Sequence, residues 1–182
     1  SLTFEDVAQF IDEAVKLGFE KFSFTGGEPF VVNDTVRILD YALEFRPCLV
    51  LTNGTQPLQK RLNEIFPLLN MTNSLAFRIS LDYPDPARHD ERRGRGMFEK
   101  ALQSLALLHE KGFHISVARR QEEGEDSAAV EKTYQDLFAK AGIPEDTPVI
   151  AFPNLEAADT PEITEDCMKT HHTAKSCEKF MC

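Results

Sequence analysis

The sequence predicts an α/β fold built on a parallel sheet, and two observations support this prediction. Segments with helically spaced apolar residues alternate with short apolar segments typical of buried strands along most of the 182 residues. Strands separated by helices form parallel βαβ units with right-handed crossovers. A doubly wound sheet and an arc of a TIM-type barrel both satisfy this order, and in both of them ligands bind at the carboxyl ends of the strands.

The amino-terminal half begins with a helix predicted over residues 4–17. Phe4, Val7 and Ile11 begin its helical spacing, and Ser1 or Thr3 can serve as its N-cap. The next predicted elements are a strand at 19–24, a helix at 35–45, a strand at 48–52, a helix at 58–69 and a strand at 75–81.

The carboxyl-terminal half continues the same alternation after a polar, Arg-rich loop over residues 82–96. The predicted elements are a helix at 98–109 with Gly112 just past its end, a strand at 113–118, a helix at 130–139 and a strand at 149–152. We therefore expect one β/α core over residues 1–155 and an irregular Cys/His-containing segment over 156–182.

The composition excludes several classes of partner. Lys and Arg total 20 and Asp and Glu total 30, so the net charge of −10 argues against nucleic-acid phosphates or an anionic membrane as the main partner. No apolar run approaches the ~18 residues that a transmembrane helix needs. Four cysteines in a chain of this length do not resemble a disulfide framework. Because free cysteines suit a reducing compartment, we expect a cytoplasmic protein.

Polar and glycine residues follow several of the predicted strands, and the strand-end rule makes them candidate site residues. They are Gly26, Gly27, Glu28, Asn53, Gly54, Ser80, Asp82, Arg119 and Arg120. Such a set would suit a small zwitterion, because Glu28 can accept from an ammonium group and an arginine can fork a carboxylate. The alternative is that Gly26 and Gly27 form a plain turn beside a solvated Glu28.

Four motifs resemble those of the radical S-adenosylmethionine (radical SAM) enzymes. Residues 24–30 (FTGGEPF) resemble the GGEP motif of that family, and residues 51–55 (LTNGT) resemble its T-N-G-T. Residues 78–82 (RISLD) resemble its S-L-D, and residues 89–98 resemble its H-D-x-x-R-G-x-G-x-F. All four occur in the family's order and at fitting spacings, so the resemblance covers about residues 3–117 well and 149–182 loosely.

This resemblance implies a partial (β/α)6 TIM-like barrel and a specific chemistry. The family uses a [4Fe-4S] cluster to cleave SAM reductively to a 5′-deoxyadenosyl radical, which abstracts a substrate hydrogen. The cofactor-binding residues implied are Gly26, Gly27, Glu28 and Pro29 near the amino group, Ser80 near the ribose or carboxylate, and Arg93 or Arg119 at the carboxylate. Asn53 and Asp82 are implied equally as ligand contacts or as loop caps.

The sequence departs from the family at the cluster site. The family carries C-x-x-x-C-x-x-C after the first strand, whereas this sequence begins at the helix that follows. No cysteine precedes Cys48, which falls at a strand start and is expected to be a core thiol. We therefore expect a barrel that lacks its first strand. We expect this chain to be inactive by itself and its parent protein to be the active enzyme. The exposed apolar edges of such an incomplete barrel favour dimers or aggregates.

A cluster of cysteine and histidine residues lies near the carboxyl terminus. It comprises Cys167, His171, His172, Cys177 and Cys182. Cys167, Cys177 and Cys182 could bind zinc or an iron–sulfur cluster. By resemblance, the segment would begin the auxiliary-cluster extension of many family members and suggest a small-molecule or peptide substrate. The alternative is a solvated tail.

Two other functional classes stay open at this point. One is a non-catalytic α/β module that binds a small amino-acid-like ligand without iron. The other is a degenerate barrel that serves as a scaffold. His89 lies in the predicted loop and is expected to act as a cap, not as a general base.

Overall fold

The structure is a computed structural model that describes residues 2–152. Five strands form one parallel sheet: β1 (Phe22–Phe24), β2 (Cys48–Thr52), β3 (Leu75–Ser80), β4 (His114–Arg120) and β5 (Val149–Phe152). The predictions for the segment 156–182, including the metal ligands Cys167, Cys177 and Cys182, lie outside the described residues.

Seven α-helices connect and flank these strands in the described part of the chain. They are α1 (Phe4–Lys16), α2 (Thr35–Phe45), α3 (Gln56–Gln59), α4 (Leu62–Ile65), α5 (Pro86–Arg93), α6 (Met97–Lys111) and α7 (Ser127–Ala141). Thr3 is the N-cap of α1 in a capping box with Asp6, which confirms one of the two predicted caps.

The order of the strands decides between the two predicted topologies. In the sheet the order is β1-β2-β3-β4-β5, the same as in the chain. A doubly wound sheet reverses its strand order at a switch point, whereas a barrel adds each strand beside the previous one. The α/β prediction is confirmed, and the sequential parallel sheet is consistent with a partial TIM-like barrel.

The hydrophobic core lies between one face of the sheet and the helices. On β3, Leu75, Phe77 and Ile79 are buried and pack in the cluster that contains Leu39 of α2 and Leu105 of α6. Ala76, Arg78 and Ser80 alternate with them and are only partly buried, so they lie on the opposite face. We call this opposite side of the sheet the uncovered face.

Two sequence predictions about local structure are wrong, and proline explains both. The helix predicted over 58–69 is broken into α3, α4 and a 3-10 turn at Phe66–Asn70, because Pro57 and Pro67 each favour the start of a new short element, in which they are the second residue. The loop predicted over 82–96 contains α5, which starts at Pro86 with Asp85 as its N-cap.

The cysteine and membrane predictions can also be compared with the structure. Cys48 is buried, and this burial raises the pKa of its thiol to about 12, as expected of a core cysteine. None of the helices found within residues 2–152 is both long and apolar enough to span a bilayer.

Candidate functional site

Glu28 ties the end of β1 to the end of β2. Its two carboxylate oxygens each accept from the Thr52 hydroxyl at 2.8 Å, and its Oε2 accepts from the Asn53 amide at 2.8 Å. Its Oε1 also accepts from the Phe30 amide at 3.2 Å. The carboxylate therefore holds the Gly26-Gly27 turn against the neighbouring strand end, so the solvated Glu28 of the alternative reading is not what the structure shows.

Gly54 allows the end of β2 to approach α6 closely. Its φ is +67°, and a Cβ built there would lie 2.9 Å from Ile79 Cγ2 and 3.3 Å from Ala101 Cα. The carbonyl of Gly54 accepts from the Ser104 hydroxyl at 2.6 Å. A glycine is needed here both for the left-handed backbone and for the space.

A chain of hydrogen bonds joins the ends of three neighbouring strands. Asn53 donates from Nδ2 to the Gly27 carbonyl at 3.3 Å, and its Oδ1 accepts from Arg93 Nη1 at 2.5 Å. Arg93 also forks the Asp82 carboxylate, with Nε and Nη2 at 2.7 and 2.8 Å from its two oxygens. Four of the predicted site residues (Gly27, Asn53, Asp82 and Arg93) are therefore brought together.

His89 is buried beside this hydrogen-bond chain and contacts the backbone of Asp82. Its Nδ1 accepts from the Asp82 amide at 3.2 Å, so the neutral ring carries its proton on Nε2. Burial lowers the pKa of His89; Asp82 opposes this effect and Arg93 adds to it. The expectation of a capping role agrees with this contact, but His89 lies within α5 and not in a loop.

Asp90 fixes the connection between α5 and α6. Its carboxylate accepts from the amides of Phe98 and Gly96, and these bonds lower its pKa. The next residues of the same helix, including Arg93, are thereby held at the strand ends.

A cavity of about 420 Å³ lies over these groups. Its volume is within the range typical of small-molecule sites. It is lined by Asn53, Thr55, Asp82, His89, Arg92, Arg93 and Met97.

Ser80 ends β3 on the uncovered face and is only partly buried. Among the contacts within residues 2–152, its hydroxyl forms no hydrogen bond. It is therefore a polar group at a strand end that is free to meet a ligand.

Arg119 is the predicted site residue that the structure places elsewhere. It faces the helix side of β4, where its buried side chain pairs with Glu125 at 2.6 Å and donates to the Arg120 carbonyl at 3.1 Å. Burial of Glu125 opposes its ionisation, but the Glu122 amide and the Arg119 guanidinium lower the pKa of its carboxyl overall. Arg119 therefore anchors the segment before α7 and is separate from the hydrogen-bond chain of Arg93.

The described residues offer no site for a metal cluster. Within residues 2–152, no group of three or more His, Cys, Asp or Glu side chains is placed to hold a metal ion. Cys48, the one cysteine of that range, lies at the start of β2 and so at the opposite end of the strand from Asn53. The hydroxyl, amide and carbonyl groups at the strand ends do fit an uncharged or zwitterionic ligand.

A family model described as the radical SAM superfamily matches residues 1–119. This range covers more than half of the chain and includes all four motifs. The chain belongs to the radical SAM superfamily.

Individual relatives of this radical SAM chain are named for two different activities. An AdoMet-dependent heme synthase of Methanosarcina barkeri is 30% identical over 118 residues, which are 64% of this chain and 33% of that protein. A second AdoMet-dependent heme synthase, of Nitratidesulfovibrio vulgaris, is 26% identical over 62% of this chain and 30% of its own length. A GTP 3',8-cyclase of Pseudomonas savastanoi is 29% identical over 62% of this chain and 33% of its own length. The matched part is thus about a third of the length of these relatives.

Three residues near the candidate site, Tyr83, Arg88 and Glu122, form contacts that sequence reasoning did not predict. Glu122 accepts from the Tyr83 hydroxyl at 3.1 Å and from Arg88 Nη2 at 2.5 Å, which ties the loop after β4 to α5. The Arg88 guanidinium lies over the Tyr83 ring at 4.1 Å. These partners are 39 and 34 residues apart in the chain. No local sequence signal reports such a contact.

Proposed function

We propose that this chain is the core of a radical SAM enzyme that, in the complete protein, cleaves SAM reductively at a [4Fe-4S] cluster to form a 5′-deoxyadenosyl radical. The observation that carries the proposal is the hydrogen-bond chain from Gly27 through Asn53 and Arg93 to Asp82. It joins the ends of three adjacent strands, and it lies wholly inside the region that matches the family.

The amino group of SAM is proposed to meet the turn after β1. Glu28 is anchored there by Thr52 and Asn53, so the Gly26 and Gly27 carbonyls are held at a fixed place beside a negative charge. Carbonyl and carboxylate oxygens are the acceptors that an ammonium group needs. Pro29 limits the motion of this turn because its ring fixes φ.

The carboxylate and ribose of SAM are proposed to lie toward β3 and α5. Arg93 donates one N–H from each terminal nitrogen to Asn53 and Asp82, so each terminal nitrogen keeps a further N–H for a carboxylate. The Ser80 hydroxyl can meet either the ribose or the carboxylate. Asn53 and Asp82 would then act chiefly by orienting Arg93. Arg119 is already paired with Glu125, which favours Arg93 for this role.

Residues 2–152 do not supply ligands for the cluster. We propose that the chain by itself does not cleave SAM and that the complete protein does so in the cytoplasm. Its substrate is proposed to be a small molecule or a peptide. The family relationship does not fix this choice, because the two heme synthases and the GTP 3',8-cyclase named above differ in their activities.

The test uses the full-length gene product, reconstituted anaerobically with iron and sulfide. With SAM and dithionite we expect 5′-deoxyadenosine, measured by mass spectrometry, and we expect Ser80→Ala to reduce its formation. Ser23→Ala is the matched control, because Ser23 is an exposed serine in the middle of β1, two strands away from Ser80.

The outcomes separate the functional classes. If SAM or methionine binds without iron and no 5′-deoxyadenosine forms, the protein is a binding module and the catalytic proposal fails. If neither iron nor these ligands change its thermal unfolding, the scaffold alternative stands. Equal activity of the Ser80 and Ser23 variants would remove Ser80 from the site.

A further inference from the structure

Arg78 lies on the uncovered face of the sheet, in the middle of β3. Leu75, Phe77 and Ile79 point into the core, so the alternation of the strand places Arg78 on the other side. Its neighbours in register are Leu51 of β2 and Ser116 of β4. A partly buried arginine at the centre of a parallel sheet needs an explanation.

The guanidinium of Arg78 has a hydroxyl partner but no carboxylate among the described residues. Its Nε donates to Ser116 Oγ at 3.2 Å, and the Ser116 hydroxyl donates to the Phe77 carbonyl at 3.4 Å. Ser116 therefore holds the Nε side of the guanidinium, and neither terminal nitrogen forms a hydrogen bond with another described residue.

Other well-anchored arginines of the described chain differ from Arg78 in this respect. Arg61 pairs with Glu64, Arg93 with Asp82 and Arg119 with Glu125. A partly buried cation without a counter-charge is unfavourable, because it loses hydration without gaining an ion pair.

Among residues 2–152, no strand residue that shares the uncovered face with Arg78 carries a negative charge. The strand residues that share this face by register are Ser23, Leu49, Leu51, Ala76, Ser80, His114, Ser116, Ala118, Arg120, Ile150 and Phe152. None of them is acidic, although the whole chain has a net charge of −10. The small side chains of Ala76 and Ala118 leave room beside Arg78.

We infer that Arg78, held by Ser116, forms an anion-binding subsite for a carboxylate or phosphate group of the substrate. Arg78 lies two residues before Ser80, which is about 7 Å along the strand. A substrate anion bound there would place the rest of the molecule next to the strand ends. The assignment of the anion to the substrate rests on the proposed function, whereas the subsite itself rests on the contacts of Arg78.

The test measures the modification of Arg78 by phenylglyoxal in the full-length protein, with peptide mapping by mass spectrometry. Inorganic pyrophosphate and citrate serve as the phosphate and carboxylate probes. A probe at about four times its dissociation constant should slow the modification about fivefold, because only the free fraction of the site reacts. Arg37, which is 60% exposed on α2, is the control whose rate should not change.

A second variant tests the role of Ser116. Ser116→Ala should raise the probe concentration that gives half-protection by roughly fivefold, since the hydroxyl fixes the guanidinium fork. Protection by only one of the two probes would assign the anion as phosphate or as carboxylate.

Two results would overturn the inference. In the first, Arg78 reacts freely and neither probe slows it. In the second, Arg78 reacts only after denaturation in urea, which would mean that another part of the protein covers it. SAM binding is measured by equilibrium dialysis in the same samples, so a failure of the proposed function is seen separately.

Discussion

At the scale of single residues, Gly54 makes the close approach between β2 and α6 possible. Replacing it with alanine should destabilise the chain by about 1–3 kcal/mol through the left-handed backbone, with a further cost from the Cβ contact at 2.9 Å to Ile79. Urea unfolding of the 182-residue chain measures this change. Since Gly54 directly follows Asn53 and its amide donates to the Thr52 hydroxyl at 3.2 Å, we also expect weaker SAM binding in the full-length protein.

The control for Gly54 is Gly124, which has a φ of +71° but open space around its Cα. Gly124→Ala should lower the free energy of unfolding only by the cost of the left-handed backbone, about 1–3 kcal/mol, without the further cost of a Cβ contact. Equal losses of stability in the two variants would show that the contact with Ile79 is not significant.

His89 should make the stability of the chain depend on pH. Burial lowers its pKa in the folded state below the ordinary 6.5, so the unfolded chain binds the proton at a higher pH than the folded chain does. The free energy of unfolding should therefore decrease as the pH falls below about 6.5. Urea titrations between neutral and mildly acidic pH measure this slope.

The variant His89→Asn separates the contribution of His89 to this pH dependence from the contribution of titrating carboxylates. Asparagine keeps an acceptor near the position of Nδ1 for the Asp82 amide but does not titrate. Above the pH range in which carboxylates titrate, the free energy of unfolding of this variant should depend less steeply on pH than that of the native chain. An unchanged slope would mean that His89 is not the titrating group.

At the scale of secondary-structure elements, the sequence predicted correctly those helices and strands whose bounds depend on local residue patterns. The helix over 35–45 and the strand over 48–52 match α2 and β2 at both ends, because their periodicity is clear and polar or proline residues flank them. The strand over 19–24 was predicted too long, since only Phe22–Phe24 pair with β2.

The helix α5 shows why part of the site could not be predicted. Its local signals, Asp85 and Pro86, were present in the sequence, but its composition is almost entirely polar and gives no apolar periodicity. The motifs placed Gly27, Asn53, Asp82 and Arg93 at the site. Their mutual hydrogen bonds, and the separation of Arg119 from them, depend on which face of each strand packs on the helices.

The position of α5 gives a prediction for Arg93. Arg93→Lys keeps the charge but loses the planar fork that binds Asp82 and reaches Asn53 at the same time. We expect SAM binding by the full-length protein to weaken by about tenfold or more, as the loss of a charge-assisted, bidentate contact implies. Equilibrium dialysis measures this affinity.

Arg37→Lys is the matched control, because Arg37 is an exposed residue of α2 whose guanidinium contacts the Phe4 ring at 3.6 Å and Glu5 at 3.9 Å, and neither partner belongs to the strand-end hydrogen-bond chain. Native affinity in the Arg93 variant would contradict the role proposed for this residue. Equal losses in both variants would point to a general effect of charge placement.

At the scale of the whole molecule, the sheet has one apolar edge. β1 pairs with β2 on one side, and within the described residues no strand pairs with its other side. A groove of about 940 Å³ lies there, between α1 and β1. Phe10 and Phe19 line it and are 54% and 56% exposed. An exposed strand edge beside apolar side chains favours association with another surface.

We therefore expect the 182-residue chain to self-associate in solution, and we expect Phe10→Gln combined with Phe19→Gln to shift it toward the monomer. Sedimentation velocity over a range of concentrations measures this shift. Val31→Gln is the control, because Val31 is 65% exposed but does not line the groove. If the double variant associates as strongly as the native chain, the groove is not the contact surface. If the native chain is monomeric at every concentration, the exposed edge and the groove beside it do not drive self-association.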